Sequence, residues 1–365
     1  MNRRQFIASS GAAAAAVTSG AVAPKAASAA PTKRALMTLG YQAECTDAGL
    51  KAALRWGIKN IYARPPIADP DRLYATLDEL KQMRDAADRN GVKIEILRPT
   101  NNLAMTNIDV EKHPAIMLGQ SPQRDRDIEQ MQTMIKNCAA VEIPGMRYTL
   151  SIVGNLRTGY VPGRGDSKYR SFKLSDAKPN PPLTRAGRVT EDMYWERITY
   201  FLERMVPVAE EYKVRLACHP EDGMTPPEGY QGVNEVVNTI EGAKKFLSIK
   251  ESPYHGFLFC VGTFSEMLQN PAKDIYDVIR YFGSRKKIFV VDFRNIKGNR
   301  QEFVETFPDD GDVNMVEVMR VFKEVGYDGM ICPDHTPETP AGSEAVLAFQ
   351  YGYVRALIQA VDLMD

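Results

Sequence analysis

The chain has no excess of either charge. Lys and Arg number 46, and so do Asp and Glu, so nothing in the balance points to a nucleic-acid partner. It has no paired-cysteine framework either. Its five Cys, an odd number, lie scattered, which argues against disulfide stapling even in an oxidising compartment. After the N-terminus no apolar run is long enough to cross a bilayer. The glycines form no phosphate-binding loop, since Gly154 and Gly163-Arg164-Gly165 lack dinucleotide spacing. What is there is an ordinary globular composition, 44% hydrophobic and 25% charged over 365 residues. That is enough chain to bury a large core, and one α/β barrel commonly fills this length.

Residues 1–30 are expected to be a twin-arginine signal peptide that stands apart from the fold. Asn2-Arg3-Arg4-Gln5-Phe6-Ile7 carries the arginine pair, an Ala/Gly/Ser-rich run follows, and Ala27-Ser28-Ala29 offers a small-residue cleavage site. Lys25, just before that site, fits a route that exports proteins already folded and so able to take up a cofactor first. The expected partner is the twin-arginine export machinery, and the expected location is the periplasm. Removing the segment leaves 43 basic against 46 acidic residues, a mildly acidic chain.

Residues 31–365 are expected to form one (β/α)8 TIM barrel. Apolar runs at 34–40, 60–63, 92–97, 146–153, 214–219, 256–260, 288–292 and 328–335 alternate with stretches of helical spacing. Ile128, Met131, Ile135 and Cys138 mark one such helix, and Met315, Val318, Met319 and Phe322 the core stripe of another. Short βα connections force eight such strands to pair in parallel. Between 154 and 189 the periodicity stops, and Arg157, Arg164, Lys168, Arg170 and Lys173 accumulate. A loop this long after a barrel strand reads as a basic lid over an anionic substrate.

The last four strands end in groups that packing does not require: His219, Cys260, Asp292 and Asp334. They follow one another at 41, 32 and 42 positions, each about one strand–helix unit of a barrel of ~250 residues or more. They are therefore expected at one rim. A nitrogen, a thiolate and two carboxylates favour a borderline divalent metal over magnesium or calcium. Cys45, Cys138, Cys218 and Cys332 read as packing residues instead.

From about Met37 to its end, the chain resembles the mannonate dehydratase family, within the wider group of xylose-isomerase-like barrels. The matching stretches begin with Leu118-Gly119, Arg126-Asp127-Ile128-Glu129, Arg157-Thr158, Arg164-Gly165 and His219-Pro220-Glu221-Asp222. They continue with Phe259-Cys260-Val261-Gly262-Thr263, Phe293-Arg294-Asn295, Gly311-Asp312-Val313-Asn314-Met315 and Gly326-Tyr327-Asp328-Gly329 through Pro333-Asp334-His335. The resemblance implies a divalent-metal barrel, using manganese or iron, that removes water from a sugar acid to give 2-keto-3-deoxygluconate. It also implies His219, Cys260 and Asp334 as metal ligands and His335 as a catalytic acid/base. Three features depart from the family pattern. Asp292 stands where a metal-binding His precedes Phe-Arg-Asn. Gly223-Met224-Thr225-Pro226-Pro227 alters the proline-rich continuation of the His-Pro-acid-Asp motif. The catalytic Tyr has only Tyr351 and Tyr353 as candidates.

Removing the weakly acidic proton α to a carboxylate needs a metal or cations to hold the developing charge. His335, with an unperturbed pKa of about 6.5, can act as acid or base near neutrality. Arg294 is expected to clamp the substrate carboxylate bidentately. Arg157 and Arg164 are expected to close over it from the lid, and Glu221 and Asn295 complete the substrate-binding set. Two other readings stay open: a metal-dependent isomerase or epimerase of a related sugar, which Asp292 suits, and an exported barrel that binds a sugar acid without turnover. The sugar acid, the metal and the oligomeric state are also left open, a homo-oligomer among the options.

Overall fold

Eight apolar segments pair in parallel and close on themselves. In this computed structural model, which describes residues 34–98, 106–177, 181–223, 225–226 and 229–364, they are β1 (Thr38–Glu44), β2 (Asn60–Arg64), β3 (Lys93–Leu97), β4 (Gly145–Tyr148), β7 (Arg215–Cys218), β8 (His255–Cys260), β9 (Ile288–Phe293) and β12 (Met330–Pro333). Each pairs with the next, and β12 returns to β1, which gives the (β/α)8 barrel. The Arg3-Arg4 segment and its cleavage site lie outside the described residues, as do Met224 and Pro227.

The connecting helices are α1 (Asp47–Arg55), α2 (Leu77–Arg89), the short α3 (Ala115–Leu118), α4 (Gln123–Ala140), α5 (Glu191–Tyr212), α6 (Ile240–Ile249), α7 (Val261–Glu266), α8 (Pro271–Ser284), α9 (Met315–Glu324) and α10 (Gly342–Asp362). Local chemistry sets where they start. Thr76 and Glu79 form a reciprocal capping box on α2, Thr190 caps α5, and Asn314 accepts from Val316 and Glu317 at the start of α9. Such a cap stabilises a helix by about 1 kcal/mol. No helix among the described residues is long and apolar enough to cross a membrane.

Strand alternation then decides what faces the barrel axis. Phe257 and Phe259 join the large core between strands and helices, whereas Leu258 and Cys260 join the cluster inside the barrel with Tyr62, Ile96, Ala217, Val290 and Cys332. A period of two continues this pattern off the strand ends. His219 shares the inward side with Ala217, Asp292 with Val290, and Asp334 with Cys332. On the opposite strands Tyr62 points inward, and Arg147 does so because its neighbours Met146 and Tyr148 pack outward.

The stretch at 154–189 departs from the expected lid. Residues Gly159–Pro162 (β5) and Lys168–Lys173 (β6) form a hairpin. It joins a second hairpin, β10 (Asn295–Gly298) and β11 (Glu302–Thr306), in a four-stranded antiparallel sheet ordered β10-β11-β6-β5. Phe172 stacks on Phe303 with ring centroids 5.5 Å apart, while Lys168, Arg170 and Lys173 face solvent. The basic side chains of β6 thus lie on the exposed face of a sheet. The first strand also differs from expectation: it runs to Glu44 because Gly40 to Glu44 pair with Asn60 to Arg64.

Candidate active site

The four inward groups at the ends of β7, β8, β9 and β12 are buried to different degrees and held differently. His219 is 4% exposed, and its Nδ1 lies 2.7 Å from the Pro220 carbonyl. Nδ1–H donation there leaves the Nε2 lone pair facing away, the tautomer a metal needs. Burial, helped by the Arg147 charge, pushes its pKa down to about 3, so the ring stays neutral. Cys260 ends β8, accepts from the Thr263 amide at 3.4 Å, and sits 3.9 Å from Asp334 Oδ2. Burial pushes its thiol far up, so a nearby cation is required to make it a thiolate. Asp292 is 1% exposed, and its Oδ1 has no hydrogen-bond partner. Burial and the Asp334 charge raise its carboxyl to about 7. An orphaned buried carboxylate oxygen beside a neutral imidazole, a thiol and a second carboxylate suits a divalent cation of borderline character.

The ligand atoms that already converge belong to a different set. Among the described residues, Asp222, Glu305 and His335 each place one donor atom within 4.8 Å of the others. Two guanidinium groups share this space. Arg294, 1% exposed, reaches Asp222 at 3.0 Å, Glu266 at 2.6 Å, Thr263 Oγ1 at 3.0 Å and Asp334 at 3.4 Å. Arg157 bonds Asp222 at 3.0 Å and also pairs with Glu305. Gly262 makes room for Arg294, since a Cβ there would collide with its guanidinium. Against the pull of burial, Arg157 and Arg294 hold Asp222 well below the usual carboxylate range. Burial pushes Glu266 up to about 8.

His335 lies at the edge of this network. Its Nδ1 is 2.7 Å from Glu305 Oε1 and its Nε2 is 3.5 Å from Asp334 Oδ2. Gln350 donates to its backbone carbonyl at 3.0 Å. Burial acts to lower its pKa, but Asp334 and Glu305 outweigh it and raise the ring to about 8.

The other expected positions separate. Arg157 and Arg294 come together, but both are engaged by acids of the protein. Arg164 does not join them: it pairs with Asp309 at 2.6 Å, lies over the Phe307 ring, and is 45% exposed. Asn295 is not placed to bind a substrate. Its amide nitrogen donates to the Pro308 and Val313 carbonyls, and its oxygen accepts from the Ile296 and Val313 amides, so the backbone consumes it. Glu221 is buried, raised to about 7 by that burial, and close enough to Glu235 to push it higher. Tyr351 packs on Tyr41 with centroids 5.4 Å apart, and Tyr353 stacks on Phe349. Neither hydroxyl bonds the Asp334–His335 pair. Glu266, Tyr62 and Arg147 carry no mark in the sequence that sets them apart, and Asp222 stands out only as part of His219-Pro220-Glu221-Asp222. An acid at the end of a short alternating strand after Phe293-Arg294-Asn295 was the one available signal for Glu305.

Comparison with known proteins gives consistent results. The family model for D-mannonate dehydratase (UxuA) matches residues 177–363. The mannonate dehydratase of Shouchella clausii (strain KSM-K16) is 30% identical over 293 residues, covering 71% of this chain and 76% of the relative. That of Thermotoga petrophila is 28% identical over 294 residues, covering 71% and 77%. Among solved structures, mannonate dehydratase from Streptococcus suis serotype2 superposes with a TM-score of 0.74 at 23% identity, over 89% of this chain and 95% of that one. D-Psicose 3-epimerase from Clostridium cellulolyticum H10 shares the fold with a TM-score of 0.57 at 12% identity, over 89% and 99%.

Proposed function

The chain belongs to the D-mannonate dehydratase family and is a hydro-lyase; from that premise we propose that it converts D-mannonate or a related aldonate to the 2-keto-3-deoxy acid. The aldonate loses a proton from C2 and hydroxide from C3, and the resulting enol becomes the ketone by gaining a proton at C3 and losing the one on its C2 hydroxyl. His219, Cys260, Asp292 and Asp334 would hold a divalent metal, with manganese or iron suiting this donor set. Bound there, the metal supplies positive charge for the anion that forms as the C2 proton leaves.

The observation that carries this reading is His335 held between two carboxylates directly after the inward Asp334. Glu305 accepts Nδ1–H and fixes the ring, so the proton that moves is at Nε2. With Nδ1 held by Glu305, the ring can carry a proton at Nε2 and pass it to the departing hydroxyl. Arg294 and Arg157 neutralise Asp222 and Glu305 from behind and hold Glu305 against His335. Replacing His335→Asn should cut keto-acid formation from D-mannonate by about 100-fold or more while metal content stays unchanged. An unaltered rate, or a loss of metal that parallels the loss of activity, contradicts this role.

Export by the twin-arginine route to the periplasm is proposed from Arg3-Arg4 and Ala27-Ser28-Ala29. Changing both arginines to lysine should leave the precursor in the cytoplasm, and an undiminished periplasmic yield refutes it.

A further inference from the structure

We infer that Arg98, beside Tyr62 and Arg147 on the β2–β4 side of the barrel mouth, anchors the carboxylate of the substrate. This rests on the aldonate reading above and replaces Arg294 and Arg157 as the expected clamp. A cavity of about 410 Å³ opens where β1 and β2 end, lined by Gln42, Glu44, Tyr62, Arg64 and Arg98 among others. That volume is within the range of small-molecule sites. Three neighbouring strands direct polar groups into it or beneath it. Tyr62 of β2 and Arg147 of β4 point inward, and Arg147 Nη1 donates to the Tyr62 hydroxyl at 2.7 Å. Arg98 follows β3 two residues after the inward Ile96, and its amide is tied to the Ala63 carbonyl at 2.8 Å.

The two arginines in the cavity wall are not equivalent. Arg64 faces Glu44 at 3.9 Å. Arg98 is exposed, and among the described residues nothing hydrogen-bonds or ion-pairs with its guanidinium. Arg157 and Arg294 stand in contrast, because Asp222, Glu266, Glu305 and Asp334 surround them. A substrate carboxylate reaching those two would have to displace acids of the protein. Arg98 meets a carboxylate in the planar two-point geometry a guanidinium offers without that competition. In the closed barrel β3 lies opposite β9 and β4 opposite β12, so Arg98 and Arg147 stand across the axis from Asp292 and Asp334. The cationic wall therefore faces the donor group across the barrel axis, which places a carboxylate at one end of the substrate and the reacting carbons nearer the other wall.

The test compares metal-loaded wild type, Arg98→Ala and Arg98→Lys with D-mannonate and with D-mannonamide, its neutral amide. For D-mannonate, Arg98→Ala should raise KM and Kd at least about tenfold, with kcat within about threefold. D-Mannonamide affinity should not move, and Arg98→Lys should recover part of the loss. Unchanged D-mannonate affinity in Arg98→Ala overturns the inference, as does an equal loss for both ligands. If wild type binds D-mannonate but forms no keto acid, the dehydratase reading fails, and the binding comparison still decides the role of Arg98. A wild type that binds no aldonate overturns both.

Discussion

The two sides of the barrel mouth differ in what their strands carry inward. At the ends of β7, β8, β9 and β12 come a neutral imidazole, a thiol and two carboxyls, at His219, Cys260, Asp292 and Asp334. On and after β2, β3 and β4 come a phenol and two guanidinium groups, at Tyr62, Arg98 and Arg147. On the reading proposed above, one side would gather a cation and the other would receive an anion. The same two-residue alternation produces both, so the barrel sets the positions and side-chain chemistry alone divides the work. Glu305 comes from neither side. It reaches His335 from β11, in the hairpin inserted after β9.

The largest break in this comparison should come from the donor side. His219→Ala removes a ligand nitrogen, and metal content measured by elemental analysis should fall from about one per chain toward zero, with activity at background. Full activity in metal-free wild type would remove the cation-gathering assignment. Next in size is Arg294→Ala. It leaves Asp222 and Glu266 with Arg157 alone as a cationic partner, at 3.0 and 3.8 Å. Loss of one member of such a pair costs about 3–5 kcal/mol, which denaturant melts would register. Arg164→Ala should be the smallest, about 0–1 kcal/mol, because its ion pair with Asp309 is largely at the surface. Equal losses for the two arginines would show that the buried network is not the structural element described here.

The barrel, and the places of His219, Cys260, Asp292 and Asp334 at its strand ends, were legible in the sequence because burial writes both. β8 and β9 are buried along their whole length, so they read as unbroken apolar runs. A His or Asp at the end of such a run has no packing reason to be there. The cationic side was harder to read. Arg147 sits in a four-residue strand, Gly145–Tyr148, too short to show an alternation that would mark it as inward. The inserted sheet was hidden by its own surface, since Lys168, Arg170 and Lys173 mask the buried Tyr169 and Phe172 between them. Glu305 depends on a fold-back that brings it to a residue 30 positions away. Asn295 shows the opposite failure. A motif match places the residue but cannot say whether substrate or backbone takes its amide.

The central claim is loss of water from an aldonate, and proton NMR of D-mannonate with the manganese-loaded protein in D2O tests it most directly. A 2-keto-3-deoxy acid carrying one deuterium at C3 should accumulate as D-mannonate disappears. Recovery of D-mannonate unchanged, or of its C2 epimer with no keto acid, contradicts it.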